Sequence, residues 1–526
     1  MNNSPENDGS EIISLLPKKK KGLLRVVFSR AGITILLIIL QVVVLNLLYY
    51  YYVDSIEWLV LVQFAFILVM VFYLFNCDMG ASPKLTWLVL MMLFPIPTSI
   101  MLWMSQRDFG HKLVKERTEE MIKLTKRRLA QDPYTIIKEE LILSGTDELA
   151  HYLSRTGCFP VYENTTVKFF PLGEDKFRDM LIELRKAEKF IFMEYFIIDE
   201  GHMWGSILNI LAEKAAKGVD VRVMYDGMCE ISTLSSDYPH MLAKLGIKCK
   251  PFSPIRPFIS THYNYRDHRK ILVIDGKVAF NGGVNLADEY INRRERFGHW
   301  KDTAVMLKGE AVQSFTLMFL QMWNLSEQEP CWDECDVRIP AEKTDGFVIP
   351  FCDHPLDVHK VAESVFLDIL YRARSYVHIM TPYLILDNEL EAALKYAAER
   401  GVDVRIILPG IPDKKGAYAL AKTHYKSLIR AGVRIYEYTP GFVHAKVFVS
   451  DDEKAVVGTI NLDYRSLYHH FECGTYLFRN ACISEIEKDY RYTLTKCTEV
   501  TKDNYKEHTR KLKIRGAILK LIAPLM

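Results

Sequence analysis

The sequence predicts an α/β protein: two duplicated α-β-α sandwich halves preceded by an N-terminal transmembrane helical segment. Three observations carry that prediction. Apolar residues crowd into long runs in the first fifth of the chain. A strand–helix–strand pattern further on is written twice with nearly the same spelling. Behind each copy stands the same short motif of His, Lys, Asp, Gly and Asn. The totals agree. A chain of 526 residues with 49% hydrophobic content has ample core, which excludes disorder as its main state. Lys plus Arg, 67, nearly cancel Asp plus Glu, 65, so no nucleic acid partner is expected. Ten cysteines are too sparse for a disulfide scaffold. The one close pair, Cys331 and Cys335, lacks the further His/Cys set of a zinc site. No metal and no cofactor are expected.

Residues 1–30 read as a basic cytosolic tail and 31–106 as a transmembrane or re-entrant helical segment. The run 31–53 is free of charge and would be about 34 Å long as a helix, enough to cross the hydrocarbon. It is too long for a signal peptide, and another apolar run follows almost at once. The run 56–75 carries only Glu57, and 85–104 is charge-free but interrupted by Pro95 and Pro97. Tyrosines 49–52 and Trp58 sit where an interfacial aromatic belt belongs. Lys18 to Lys21, Arg25 and Arg30 precede the segment, and Arg107, Lys112, Lys115 and Arg117 follow it. The positive-inside rule then places both flanks in the cytosol, which needs an even number of crossings. The proline-interrupted run is therefore expected to re-enter, giving two crossings of a cell membrane and a cytosolic catalytic part. The rival is three full crossings. Residues 107–145 read as a linker helix.

Residues 146–335 and 336–526 read as the two halves. Phe190 to Ile198 is a buried strand, Met203 to Lys217 a helix, and Val219 to Tyr225 a strand, which makes a βαβ unit with a parallel sheet. Tyr376 to Met380, Glu389 to Arg400 and Val402 to Leu408 repeat it, and the GVDVR that opens at Gly218 returns at Gly401. The acid- and proline-containing stretch 326–345 reads as the connection.

Each half then carries HxKx4Dx6GxxN: His268, Lys270, Asp275, Gly282 and Asn285, then His444, Lys446, Asp451, Gly458 and Asn461. Alternate residues of a strand share a face, so each His is expected to point with its Lys. The small residues before Asn are expected to let a ligand approach the backbone. Two imidazoles, two ammonium groups and two amides around one pocket make a bed for a phosphate. One His can attack phosphorus while the other protonates the leaving oxygen. A nucleophilic His needs its far nitrogen held by an acceptor. The candidates are Asp302 and Glu472. Asp275 and Asp451 belong to the catalytic motif, either orienting a His or serving a turn or salt bridge. His469 and His470 neighbour Glu472, so one is a further candidate for ligand contact. The tail 506–520 alternates basic and apolar residues, as a helix lying on an anionic leaflet would.

NYRDHRKILVIDGKVAFNGGVNLADEYINRRERFGHWKDTAV and GFVHAKVFVSDDEKAVVGTINLDYRSLYHHFECG resemble the two catalytic blocks of the phospholipase D superfamily, and within it those of bacterial cardiolipin synthases. The resemblance implies sandwich halves of the phospholipase D type. It also implies a phosphatidyltransferase that condenses two phosphatidylglycerols into cardiolipin and glycerol, with neither metal nor cofactor. By the same resemblance, His268 is the nucleophile that forms a phosphatidyl-histidine and His444 the acid and base. Lys270, Lys446, Asn285 and Asn461 hold the phosphate, and Asp302 and Glu472 orient the imidazoles. A hydrolase or another phosphatidyltransferase would carry the same motifs. Oligomeric state is not legible.

Overall fold

The computed structural model describes residues 56–106, 111–254, 265–332, 344–501 and 510–523, apart from isolated positions within them, together with 39 and 43. The basic tail, nearly all of the first apolar run and most of the connection between halves, 333–343, lie outside the described residues. The chain divides into two compact units. The smaller takes in residues 18–113, and the larger residues 114–255 and 264–516.

In the smaller unit, helices run over Ile56–Asn76, Ala81–Leu93 and Pro95–Gln106. The third apolar run is thus two helices broken at Phe94. Pro95 has no N–H to give the first helix and suits the opening of the second. Among the described residues no helix is long and apolar enough to cross a membrane. Leu74, Trp87, Met91 and Leu102 form a small core. Val60, Leu61, Phe64, Val69, Phe72 and Phe75 are exposed.

The larger unit holds two mixed sheets. In the first half the strands are β1 (Thr165–Phe170), β2 (Phe190–Tyr195), β3 (Asp220–Asp226), β4 (Lys248–Phe252), β5 (Arg266–Asp267), β6 (Lys270–Ile274), β7 (Val278–Gly282), β8 (His299–Lys301) and β9 (Ala304–Gly309). In the second they are β10 (Phe347–Asp353), β11 (Tyr376–Met380), β12 (Asp403–Pro409), β13 (Arg434–Tyr438), β14 (Gly441–Val443), β15 (Val447–Ser450), β16 (Lys454–Gly458), β17 (His470–Phe478) and β18 (Cys497–Glu499). The orders are β1-β9-β7-β6-β2-β3-β4 and β10-β17-β16-β15-β11-β12-β13-β18. Apart from β18 they match strand for strand.

The βαβ units form as the sequence predicts, with helices His202–Ala216 and Asn388–Glu399 as crossovers and parallel pairing of β2 with β3 and β11 with β12. The sheets are not wholly parallel, however. Each motif strand folds back as a hairpin, β6 on β7 and β15 on β16, and β6 and β15 run antiparallel to β2 and β11. The hairpin turns need positive φ, which Asp275 and Gly276 supply at 53° and 65°, and Asp451 and Asp452 at 56° and 57°.

The halves share one core. It joins Phe192, Val273 and Leu307 of the first sheet to Val348, Val456 and Leu477 of the second, with Phe315 and Phe319 of helix Val312–Trp323 among them. Every residue of β2 and β6 is buried, because helices cover one face and the other half covers the second.

Candidate active site

Two short parallel pairings stitch the halves together beside the motifs. β5 pairs with the start of β17, setting Arg266 opposite His470 and Asp267 opposite Phe471. β14 pairs with β8, setting Phe442 opposite Trp300 and Val443 opposite Lys301. The backbone N–H of His268 donates to Phe471 O at 2.9 Å, and that of His444 to Lys301 O at 2.7 Å. The residues before each motif histidine are therefore bound to the residues before the other half's carboxylate.

That stitching crosses the partners. His268 Nδ1 donates to Glu472 Oε1 and Oε2 at 2.8 and 3.0 Å. His444 Nδ1 donates to Asp302 Oδ2 at 2.6 Å. Both imidazoles are buried, and both carboxylates are fully so. A carboxylate only accepts, so Nδ1 carries the hydrogen and the lone pair is left on Nε2. The carboxylates are themselves held. Thr303 N–H donates to Asp302 at 2.9 Å, and the Thr459 hydroxyl donates to Glu472.

Contrary to the strand-face expectation, His268 and His444 lie just outside the motif strands, in the breaks between β5 and β6 and between β14 and β15. Lys270 and Lys446 still turn toward them, each ammonium donating to the carbonyl of its own histidine. Lys446 Nζ also lies 2.9 Å from His444 Nδ1.

Burial decides the proton affinities. It pushes His268 well below the ordinary imidazole value, with Lys270, Lys446 and His444 adding repulsion. It pushes His444 down to about 4, with Lys446 next in effect. It pushes Lys270 down to about 8 and Lys446 to about 7. Burial also acts to raise Asp302, but His444 and Lys446 outweigh it and hold that carboxyl below its usual range. Charges from both halves thus act on one another inside one buried site.

Two expectations need correction. Asp275 and Asp451 stand at the far ends of their strands and touch no histidine. Asp275 accepts from the backbone N–H groups of Glu188, Lys189 and Phe190, and Asp451 from those of Arg374, Ser375 and Tyr376. Each ties its motif turn to the entry of the neighbouring strand, a structural role. Second, the small residue after Gly282 does not admit a ligand. A Cβ on Gly283 would lie 2.1 Å from Asp302 Oδ1, so Gly283 makes room for the carboxylate. Thr459, its counterpart, bonds Glu472 instead.

The asparagines differ. Asn285 Oδ1 accepts from Ile197 N–H at 3.0 Å and its amide donates to Tyr290 Oη at 2.9 Å. The Tyr290 ring stands edge-on to His444, 5.4 Å between centroids. Asn461 Oδ1 is buried with no protein partner. Sequence reasoning passed over Tyr290, Thr459 and Phe196, whose ring lies 4.9 Å from that of His268. No short spacing marks them. It also passed over Arg269, buried against Glu194 at 2.7 Å, which fixes the backbone between the first His and Lys.

Among the described residues, two groups bring metal-ligand atoms within 4.8 Å of one another: His268, His470 and Glu472, and Glu363, Asp387 and Glu389. The first lies beside Lys270, whose charge opposes a cation.

The site thus gathers two buried imidazoles, each held by a carboxylate of the other half and flanked by a lysine, on a duplicated α/β scaffold. A family model described as "Cardiolipin synthase, PLD-like domain" matches residues 180–323 and 366–494. A cardiolipin synthase of Alkalihalophilus pseudofirmus is 32% identical over 451 residues, 85% of this chain and 89% of the relative. One from Geobacillus kaustophilus is 31% identical over 449 residues, with the same shares covered. An uncharacterized protein of Streptococcus mutans is 56% identical over 460 residues, 87% of this chain and 99% of the relative. A phosphatidylserine synthase of Haemophilus influenzae, 15% identical, superimposes with a TM-score of 0.53 over 72% of this chain and 98% of its own, a likeness of fold. The chain belongs to the cardiolipin synthase family of the phospholipase D superfamily, and it is an enzyme.

Proposed function

We propose that the protein joins two phosphatidylglycerols into cardiolipin and releases glycerol. The observation that carries this reading is the crossed pair of carboxylate-held imidazoles. Nε2 of His268 attacks phosphorus. Its Nδ1–H stays on Glu472, which stabilises the positive charge formed on the ring. His444 donates its Nε2 proton to the departing glycerol oxygen and leaves a phosphatidyl group on His268. In the second step His444 takes the proton of a hydroxyl on a second phosphatidylglycerol, whose oxygen displaces His268 from phosphorus. One phosphodiester replaces another, so no activated nucleotide is required.

His444 is neutral in the free site at pH 7. The arriving phosphodiester is an anion, and its charge beside the ring raises the proton affinity that the lysines depress. Lys270, Lys446 and Asn461 hold the phosphoryl oxygens. Asn285 serves through Tyr290, and one amide hydrogen remains for substrate.

Lipid access fits the apolar surface. The exposed residues of Ile56–Asn76, and Ile514, Ile518 and Leu521 along one side of helix Arg510–Ile522, favour a bacterial cell membrane as the site of action. Arg515 and Lys520 on that last helix suit an anionic leaflet. Burial of the histidines keeps water from the covalent intermediate.

The test is purified protein in vesicles of phosphatidylglycerol alone. Glycerol should appear together with a lipid of doubled phosphate count. Phosphatidic acid as the lipid product, with no such doubled lipid, makes the protein a hydrolase instead.

A further inference from the structure

Trp300 and His470 hold equivalent places in the two halves. Each stands two residues before its half's carboxylate, Asp302 or Glu472. The crossed strand pairing brings each beside the other half's motif histidine. The Trp300 and His444 rings are 5.4 Å apart between centroids, and so are those of His470 and His268. Both side chains are more than nine-tenths buried, at 5% and 8% exposure.

Neither donates a hydrogen bond to the protein. Trp300 Nε1 and both ring nitrogens of His470 are buried without a hydrogen-bond partner among protein atoms. His470 Nδ1 lies 3.7 Å from Glu472 Oε1, too far for a hydrogen bond. Around Trp300 stand Tyr290, Phe297 and Phe442 as rings, and around His470 stands Phe196. Burial pushes His470 down to about 3, so at neutral pH it is uncharged and carries one N–H. Buried donors without a partner are rare in folded proteins. Here the same exception recurs at the same place in both halves, beside the two groups that do the chemistry. Indole and imidazole differ in size and share one property, a neutral N–H on a flat ring.

We propose that Trp300 Nε1–H and the N–H of His470 are a pair of ligand donors, one from each half, that hydrogen-bond phosphate oxygens held between His268 and His444. The lysines supply charge to the phosphate. These donors supply direction, fixing the phosphorus relative to each Nε2. The pair deepens the proposed function and rests on it only in taking a phosphodiester as the ligand.

Inorganic phosphate tests the pair, because its binding needs no turnover. Trp300→Phe and His470→Phe keep a buried ring and remove the N–H. Each should weaken phosphate binding, measured by calorimetry on the full chain in detergent, by about tenfold or more. His470→Asn restores a donor and should recover most of the loss. Wild-type affinity in both Phe variants overturns the proposal. Should the variants fail to fold, the wild-type protein still decides. With ¹⁵N-labelled tryptophan, one of the seven indole N–H signals should move on adding phosphate, and a titration that moves none overturns it. Failure of the vesicle assay would end the synthase reading without touching these measurements.

Discussion

Asp302→Asn probes the crossed pairing most sharply. The substitution keeps shape and removes the charge that faces His444 Nδ1 at 2.6 Å. When His444 is an imidazolium, its charge centre lies about 4 Å from that of the carboxylate, worth about 4 kcal/mol at an effective dielectric of 20. That energy is roughly a thousandfold in the rate of any step in which His444 carries the proton. The amide can also present its NH2 to Nδ1 and leave the hydrogen on the wrong nitrogen. Single-turnover release of glycerol from labelled phosphatidylglycerol reads the effect. In a double-mutant cycle, Asp302 should couple to His444 by nearly the whole amount, and to His268 far less. Glu472→Gln should show the reverse pattern. An Asp302→Asn enzyme within about tenfold of wild type, or one whose coupling runs to His268, refutes the reasoning.

The remaining predictions concern pH and the motif aspartates. Lys446 at about 7 and Lys270 at about 8 are charged below those values and neutral above them. Affinity for inorganic phosphate should therefore fall as pH rises through about 7 to 8, and calorimetry across that range checks it. On the acid side, His268 keeps its lone pair to well below the ordinary imidazole value while His444 gains the proton it must donate, so kcat/KM should rise, not fall, as pH drops below 6.5. Asp275→Ala strands three backbone N–H groups and should cost about 3 kcal/mol of stability in thermal or denaturant unfolding, while the folded fraction still binds phosphate. Lost phosphate binding in a fully stable Asp275→Ala protein would return that residue to the reacting groups.

Much of this arrangement was legible because duplication makes pattern visible. GVDVR at Gly218 and Gly401 marks the same parallel strand twice, and the doubled HxKx4Dx6GxxN marks the same hairpin twice. Asp302 and Glu472 are legible because a nucleophilic imidazole needs an acceptor at its far nitrogen. Their assignment to particular histidines was not legible, since it depends on β5 with β17 and β8 with β14, pairings between segments far apart in sequence. The place of His268 and His444 outside the motif strands follows from those pairings too. The role of Asp275 and Asp451 is half legible: their place after a strand fits a turn, but only the fold shows which backbone groups they bind. Gly283 and Thr459 look unrelated in sequence and become equivalent once each is seen against a carboxylate.

The central claim is that one imidazole from each half serves a single phosphorus, and the covalent intermediate tests it most directly. Phosphate-labelled phosphatidylglycerol, a rapid acid-free quench and peptide mapping locate the adduct. Label should appear on the peptide bearing His268, be lost in His268→Ala and accumulate in His444→Ala. Label on His444 in the wild-type enzyme reverses the two roles. Turnover with no phosphohistidine in any quench contradicts the account.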